Sequence, residues 1–317
     1  MIALSSIPTI YQNMTILVVV VVVKLMIGLF GNDNGMQYFH YYCQRLSDKV
    51  NKSSNSNEQQ KIAGFIAVLL TLAPLVIILW LFEEFVAINW LWQLLLLYLA
   101  FGSLTPLLTS QKVRLALESN SKQSAKDLLQ TQCLRDTQTL SPLGISKTTI
   151  EMQLLKHLQL HLGVACCFLF IGPITALAYR LIVEMHYSWN IKLSRFNHFG
   201  LASRLLMQLL LWLPIRIFYC AYLLTTLGNR FSLYFRLTRQ YFFQLDSTII
   251  LTLHALKLNV QLGGVAMYHQ KKLRRTAFNE QGNQPKIADI QRSSQQLIVV
   301  DIVMATIVCA AILITHL

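Results

Sequence analysis

Six long apolar blocks constrain this chain more than any other feature of its sequence. They cover residues 15–30, 62–82, 85–108, 162–183, 205–227 and 298–315. A helix needs about 20 apolar residues to cross a hydrocarbon layer about 30 Å thick. Of the 317 residues, 54% are hydrophobic and 13% are charged, and that charged share is about half that of a soluble domain. The sequence therefore predicts an all-α, polytopic integral membrane protein, built as a single membrane domain with six spans.

Positive charge is concentrated in three of the segments that connect these blocks. Segments 32–61, 109–161 and 228–294 hold 4, 7 and 10 lysines and arginines, whereas the other connections hold Lys192 and Arg195. Basic loops of membrane proteins stay on the cytoplasmic side. We therefore expect a protein of the cell inner membrane whose three basic loops form amphipathic cytoplasmic helices. Both termini are then expected in the periplasm.

The formal net charge of +13 raises the question of a nucleic-acid partner. No helix-turn-helix, zinc-finger or RNA-binding pattern accompanies it, and basic loops beside membrane spans meet anionic lipid headgroups. The sequence thus predicts a lipid bilayer as partner, together with an anionic metabolite or a cytoplasmic partner protein, and no nucleic acid. The six cysteines and eight histidines show no ligand spacing, so we expect neither a metal site nor a cofactor.

Four basic residues lie inside the apolar blocks or at their ends: Lys24, Arg180, Arg204 and Arg216. A charge near the bilayer centre is costly, so such residues usually face the interior of the bundle or lie near an interface. Arg180 and Arg204 are at block ends, where their stems can reach water. Arg216 lies deeper, two residues after Pro214, and is the stronger functional candidate.

Four fragments between residues 135 and 217 suggest a family. They are RDTQTLSPLGISKTTIE (135–151), GPITALAYR (172–180), FGLASRLL (199–206) and LPIRI (213–217). In this order and spacing, the segment resembles the CobD/CbiB superfamily, membrane proteins that include adenosylcobinamide-phosphate synthase. The resemblance implies an ATP- and magnesium-dependent amide ligase. Without this resemblance, we would interpret Asp136 and Glu151 as solvated surface charges.

The departures from the family pattern fall on acidic positions. Leu155, Lys156 and Gln159 replace the Glu-Asn pair and Asp that follow Glu151 in the enzymes, and Leu206 and Met207 replace an Asp-Asp pair. Magnesium is usually bound through one or two carboxylates plus phosphate oxygens, which these side chains lack. We therefore predict binding rather than catalysis, with no catalytic residue.

A branch of the superfamily, AmpE, accounts better for this loss. The segments QKVRLALESNSKQSA (111–125) and ADIQRSS (288–294) resemble that branch, which is associated with β-lactamase regulation. The resemblance implies an inner-membrane regulator or sensor linked to β-lactamase induction, cell-wall recycling and the response to antibiotics. The residues that we expect to bind a ligand or partner are Arg114, Arg135, Asp136, Glu151, Tyr179, Arg180, Arg204 and Arg216.

Two alternatives remain open. The first is the superfamily's cobalamin-biosynthetic ligase, which would require the missing carboxylates. The second is a transporter, because Gly172-Pro173 interrupts one block and Lys24 and Arg216 place charge within others, as in transporters with broken helices.

Overall fold

The computed structural model describes residues 9–30, 35–52, 54–226, 228–268 and 271–314. Within these ranges the helices are α1 (Thr9–Phe30), α2 (Gln37–Val50), α3 (Asn57–Glu83), α4 (Asn89–Ala100), α5 (Thr105–Glu118), α6 (Lys122–Gln130), α7 (Pro142–His157), α8 (Gly163–Phe170), α9 (Pro173–Ser188), α10 (Leu201–Leu224), α11 (Asn229–Thr238), α12 (Thr248–Leu258) and α13 (Ile287–Ile314). Strands β1 (Leu262–Tyr268) and β2 (Lys271–Phe278) form an antiparallel hairpin.

Six helices of the described chain are long and apolar enough to cross a membrane. They are Tyr11–Gly28, Asn57–Glu83, Asn89–Glu118, Pro142–Phe170, Leu201–Leu224 and Ile287–Ala310. The predicted class, helical with six membrane-crossing segments, is thereby confirmed. The amphipathic helix expected between the first two blocks is also present, as α2. A multi-pass membrane protein is the architecture that these lengths indicate.

The fourth predicted span, 162–183, is interrupted where the sequence places Gly172-Pro173, and it is not the long apolar helix of this region. Helix α8 ends at Phe170, and α9 begins at Pro173. Gly172 has φ +134°, which a residue with a side chain rarely adopts, and Pro173 has no N–H to continue the hydrogen-bond ladder. The long apolar helix here is Pro142–Phe170 instead, in which a π-helical turn at Leu158–Leu162 joins α7 to α8.

The helices predicted in segment 109–161 are present as α5, α6 and α7, but the two ends of the segment belong to helices that are long and apolar enough to cross a membrane. The third membrane-crossing segment consists of α4 and α5, with a break between Ala100 and Thr105, and reaches Glu118, while α7 and the π-helical turn cover 142–161. The prediction counted Glu151 and Lys156 as loop charges, but both have partners within the fold, Arg275 and Gln132. In the basic segment 228–294, where the sequence predicts amphipathic helices, α11 and α12 are present, but residues from Leu262 onwards form the β1–β2 hairpin instead.

The chain divides into two compact units, and the predicted single-domain organisation stays a prediction. The first unit comprises residues 1–105 and 158–211. Its core includes Trp189, whose Nε1 donates to the carbonyl of Cys43 at 3.0 Å and whose ring meets Phe199 edge-on. Lys24 of this unit is buried with its ammonium 4.2 Å from the centre of the Tyr98 ring. The second unit comprises residues 106–157 and 212–317.

Substitution of Gly64 by alanine is expected to destabilise the first unit. A Cβ at this position of α3 would overlap the carbonyl group of Phe199, and backbone cannot move aside as a flexible side chain can. Overpacking of this kind costs roughly 1–3 kcal/mol. The matched control is Gly28→Ala, because a Cβ there would lie 3.6 Å from Leu104 in ordinary contact. Thermal unfolding of both purified variants should show a lower unfolding temperature for Gly64→Ala alone.

Candidate functional site

Glu151 is the centre of a charged cluster in the second unit. It lies on α7 and is 5% exposed. Its Oε1 accepts a hydrogen bond from the backbone N–H of Gly263, and its Oε2 accepts one from Arg275 Nη2, each at 2.8 Å. A buried carboxylate requires such compensation. Glu151 is thus a buried ion-paired group and not a solvated surface charge.

Arg135 enters the same cluster from the segment before α7. Its Nη1 donates to Thr148 Oγ1 and its Nη2 donates to the carbonyl of Val265, each at 2.7 Å. The Nε atoms of Arg135 and Arg275 are buried, and neither has a hydrogen-bond partner among the described residues. Two guanidinium groups in the cluster therefore keep unused donor capacity.

Two glycines let the hairpin approach the cluster. Gly263 and Gly264 have φ +74° and +85°, and the β1–β2 register shifts between Gly263 and Val265. A Cβ on Gly263 would overlap the carbonyl oxygen of Thr276. This bulge directs the N–H of Gly263 at Glu151. Beside it, Lys147 Nζ lies 3.8 Å from the point that a Cβ on Gly264 would occupy.

Cations outnumber carboxylates in this cluster, which we call the basic cluster and define as Arg135, Lys147, Glu151 and Arg275. Burial lowers the pKa of Arg135, as does the charge of Arg275, while Glu151 partly offsets both. Burial also acts to lower the pKa of Arg275, but its interactions with Glu151 and Tyr268 together outweigh burial, and the pKa is raised. Arg275 is 24% exposed, so an outside anion can reach the cluster. Three cations around one carboxylate suit the binding of an anion.

Asp136 lies beside the basic cluster, and its backbone and carboxylate both make hydrogen bonds there. Its N–H donates to the carbonyl of Met267 at 3.1 Å, and its Oδ1 accepts from the N–H of Gln138 at 3.0 Å. The first bond ties the segment before α7 to β1. The second is a local turn of the kind that aspartate commonly makes.

Tyr179 and Arg180 belong to the first unit and have partners there. Tyr179 is fully buried, and its hydroxyl donates to the carbonyl of Gln159 at 3.0 Å. Arg180 Nη2 is 2.5 Å from Glu184, whose other oxygen is 2.5 Å from His40 Nε2. The expected snorkelling of Arg180 towards water is therefore wrong, because the side chain is buried in an ion pair.

Three more of the predicted binding residues have local surroundings of their own. Arg204 is half-buried in the first turns of α10. Arg114 on α5 pairs with Glu118 at 2.6 Å and lines a cavity of about 300 Å³ with Gln111, Ile290, Gln291, Ser294, Gln295 and Ile298. Arg216 is 4% exposed and donates to the carbonyls of Phe242 and Gln244. Its geometry is that of a structural support.

Three residues of the site, Lys147, Gly263 and Arg275, were not predicted from the sequence. The signal for the last two was a hairpin pattern, with paired glycines followed by alternating residues in LGGVAMY and then by KKLRRTAF. Such a pattern indicates strands, but the segment was assigned to the end of a helical stretch and to a basic loop.

Comparison with known protein sequences shows the family of this chain. The CobD/Cbib protein family matches residues 18–297. The chain belongs to the CobD/CbiB family. It is 28% identical to "Cobalamin biosynthesis protein CobD" of Chromobacterium violaceum over 211 residues, which are 67% of this chain and 68% of that protein. It is 26% identical to the protein of that name from Stutzerimonas stutzeri over 227 residues, 71% of this chain and 75% of that protein. No solved structure matches the chain.

The magnesium ion that the CobD/CbiB resemblance implies does not fit these residues. Both oxygens of Glu151 are occupied by Arg275 and Gly263. Lys156 donates to Gln132 at 2.8 Å, and the side chain of Gln159 accepts from Tyr187 at 2.6 Å. Across the described ranges, no three His, Cys, Asp or Glu side chains form a group that could hold a metal ion. These residues therefore do not support catalysis through a bound magnesium ion.

A second buried polar chain in this unit links three helices. Tyr222 Oη lies 2.7 Å from His254 Nδ1, and His254 Nε2 lies 2.9 Å from Ser293 Oγ. All three residues are fully buried or nearly so. Burial, and then the charge of Lys257, lowers the pKa of His254 to about 3. The imidazole is therefore neutral in the folded protein near neutral pH.

His254 should make stability depend on pH in the acid range. An unfolded histidine has a pKa of about 6.5, so the folded value is depressed. Its contribution to stability is complete above pH about 6.5 and falls as the pH drops towards 3, because only the unfolded chain takes up the proton. The unfolding temperature measured between pH 7 and 4 should fall less steeply in His254→Asn than in the wild-type protein. Equal slopes would contradict a buried neutral histidine.

Proposed function

We propose that this chain acts in cobalamin biosynthesis at the membrane, and that its basic cluster binds an anionic precursor there. The family match over residues 18–297 carries the proposal, and the curated relatives named "Cobalamin biosynthesis protein CobD" support it. A corrinoid precursor that bears a carboxylate or a phosphate is the substrate class that three cations around one carboxylate suit.

Some residues of the basic cluster would position the others, and some would supply the charge that binds the anion. Glu151 holds Arg275 and the glycine bulge in place, while Thr148 and Val265 position Arg135. Lys147 and Arg275 supply the accessible positive charge, since Lys147 is half-buried and Arg275 is 24% exposed. Desolvation strengthens the attraction that such donors exert on a bound anion. The amide ligation of the superfamily would be a more specific form of this role. The side chains that stand in place of the ligases' acidic residues do not support it.

A regulator of the AmpE type is the second candidate. The observation that favours it is the loss of the acidic residues and Asn of the ligases at five positions, Leu155, Lys156, Gln159, Leu206 and Met207. A protein that has lost these carboxylates can still bind a ligand and change its contacts with a partner. In this case the signal would be connected with β-lactamase induction.

Deletion of the gene in the native host separates the two candidates. Growth that depends on newly made cobalamin and induction of β-lactamase are measured in the same strain. The main proposal predicts that the cobalamin-dependent growth is lost and is restored by supplied cobalamin. Unimpaired growth together with altered β-lactamase induction would reject it in favour of the regulator.

The membrane orientation is a proposal of its own. We propose the inner membrane, with both termini in the periplasm. Of the connections between the six membrane-crossing helices, 29–56, 119–141 and 225–286 hold 15 lysines and arginines, whereas 84–88 and 171–200 hold three. The more basic connections are expected on the cytoplasmic side. Alkaline phosphatase is active only when it is exported. A fusion of this enzyme to the C-terminus should therefore be active, and an inactive fusion with an active cytoplasmic reporter at the same site would reverse the orientation.

A further inference from the structure

We propose that residues 229–245, α11 and the turn after it, form a surface site for anionic phospholipids. We call these residues the arginine–aromatic segment. Its sequence, NRFSLYFRLTRQYFFQL, contains three arginines and no aspartate or glutamate. Anionic headgroups and acyl chains together match a surface that is both basic and apolar.

Several large apolar side chains of this segment are exposed. Phe243 is 83% exposed. The other exposed large apolar residues of the segment are Phe231, Leu233, Phe235, Leu237 and Leu245. Several exposed large apolar residues within one short segment favour an interaction site. Arg230, Arg236 and Arg239 are exposed within the same segment, so apolar and basic groups are presented together.

Specific contacts hold the segment against its neighbours. Arg216 Nη2 donates to the carbonyl of Phe242 at 2.6 Å, and Tyr219 Oη lies 2.7 Å from Thr238 Oγ1. Tyr234 Oη donates to the carbonyl of Leu256 at 3.4 Å. The buried residues of α11, Tyr234 and Thr238, are thus the ones that dock it, and the exposed residues remain available for a partner.

Position along the chain favours a bilayer over a protein as that partner. Helix α10 is one of the six helices apolar enough to span a membrane and ends at Leu224. Helix α11 begins at Asn229, so it leaves the end of a membrane helix almost at once. A segment there lies at headgroup depth, where arginine meets lipid phosphate and phenylalanine and leucine meet acyl chains.

The test uses native mass spectrometry to measure lipid binding by the purified, delipidated full chain. Phosphatidylglycerol is titrated against phosphatidylcholine of the same acyl chains. Each arginine near an anionic surface contributes about fivefold in affinity, so the triple variant R230Q/R236Q/R239Q should bind phosphatidylglycerol about a hundredfold more weakly. The variant R230K/R236K/R239K keeps the charge and should retain most of the affinity. The apolar variant F231S/F235S/F243S should bind both lipids more weakly.

A matched control removes the same number of charges elsewhere. Lys49, Lys52 and Lys122 are exposed, and K49Q/K52Q/K122Q should bind phosphatidylglycerol as the wild type does. Equal affinity for the two lipids, or an equal loss in the control, would overturn the proposal. So would displacement of the lipid by millimolar glycerol phosphate, because the headgroup alone would then be the ligand. Loss of a co-purifying protein from the triple glutamine variant, with its lipid affinity unchanged, would assign the surface to a protein.

Discussion

Replacement of Glu151 by leucine is expected to lower the free energy of unfolding by about 3 kcal/mol, near the lower end of the range for breaking a buried ion pair. The substitution leaves the buried N–H of Gly263 without its acceptor and places three cations together without a carboxylate. The lower end applies because Arg275 is 24% exposed and water can partly solvate it. Thermal unfolding of the purified protein in detergent, followed by tryptophan fluorescence, measures the change.

The double variant E151L/R275M is the control for this prediction. Removing both charges replaces an ion pair by apolar groups of similar size, which is often nearly neutral in energy. It should therefore recover a substantial part of the loss seen in Glu151→Leu. A single variant as stable as the wild type would show that Glu151 does not hold the cluster together.

The second large effect is expected for Arg216→Leu. The guanidinium donates to the carbonyls of Phe242, Gln244 and Trp212 and lies 4.7 Å from the centre of the Trp212 ring. An unsatisfied buried acceptor costs about 1–3 kcal/mol, and the packing of the arginine stem is lost as well. We expect a drop of about 2–3 kcal/mol in the free energy of unfolding, with release of residues 242–244 that limited proteolysis can detect.

Arg216→Lys is the matched variant, because it retains the charge but not the planar fork. One ammonium group can reach one carbonyl well but cannot reproduce the bonds of the guanidinium, so its stability should be intermediate. The same pair of variants tests the transporter alternative. If Arg216→Leu abolished a substrate flux in liposomes while the unfolding temperature stayed unchanged, Arg216 would belong to a transport pathway and not to a support.

The sequence predicted well what depends on local hydrophobicity. Blocks of apolar residues long enough to cross a bilayer lie in helices at 57–83, 201–224 and 287–310, because length and composition alone decide this property. The fourth span was misplaced because a charged residue was read as evidence for a loop. Glu151 is accommodated in α7 by Arg275, 124 positions further along the chain, and no local pattern carries that information.

The candidate site could be predicted from the sequence only in part. Motif comparison identified Arg135, Asp136 and Glu151, which the structure places together around β1. It did not identify Arg275 or Lys147, because their role arises from the hairpin register and the glycine bulge. Arg216 was selected as a buried charge, and its structural role follows from carbonyls 26 and 28 residues away.

Binding of an anionic corrinoid precursor at the basic cluster can be measured as retention of such a compound by the protein. Corrinoids absorb visible light, so equilibrium dialysis of the full chain in lipid nanodiscs can follow a corrinoid that carries a free carboxylate. The wild type should retain it, and Lys147→Gln should bind it roughly tenfold more weakly, as expected for loss of a charged hydrogen bond. Lys122→Gln, an exposed charge on α6, should bind it unchanged. No retention by the wild type, or equal retention by Lys147→Gln, would contradict binding at this cluster.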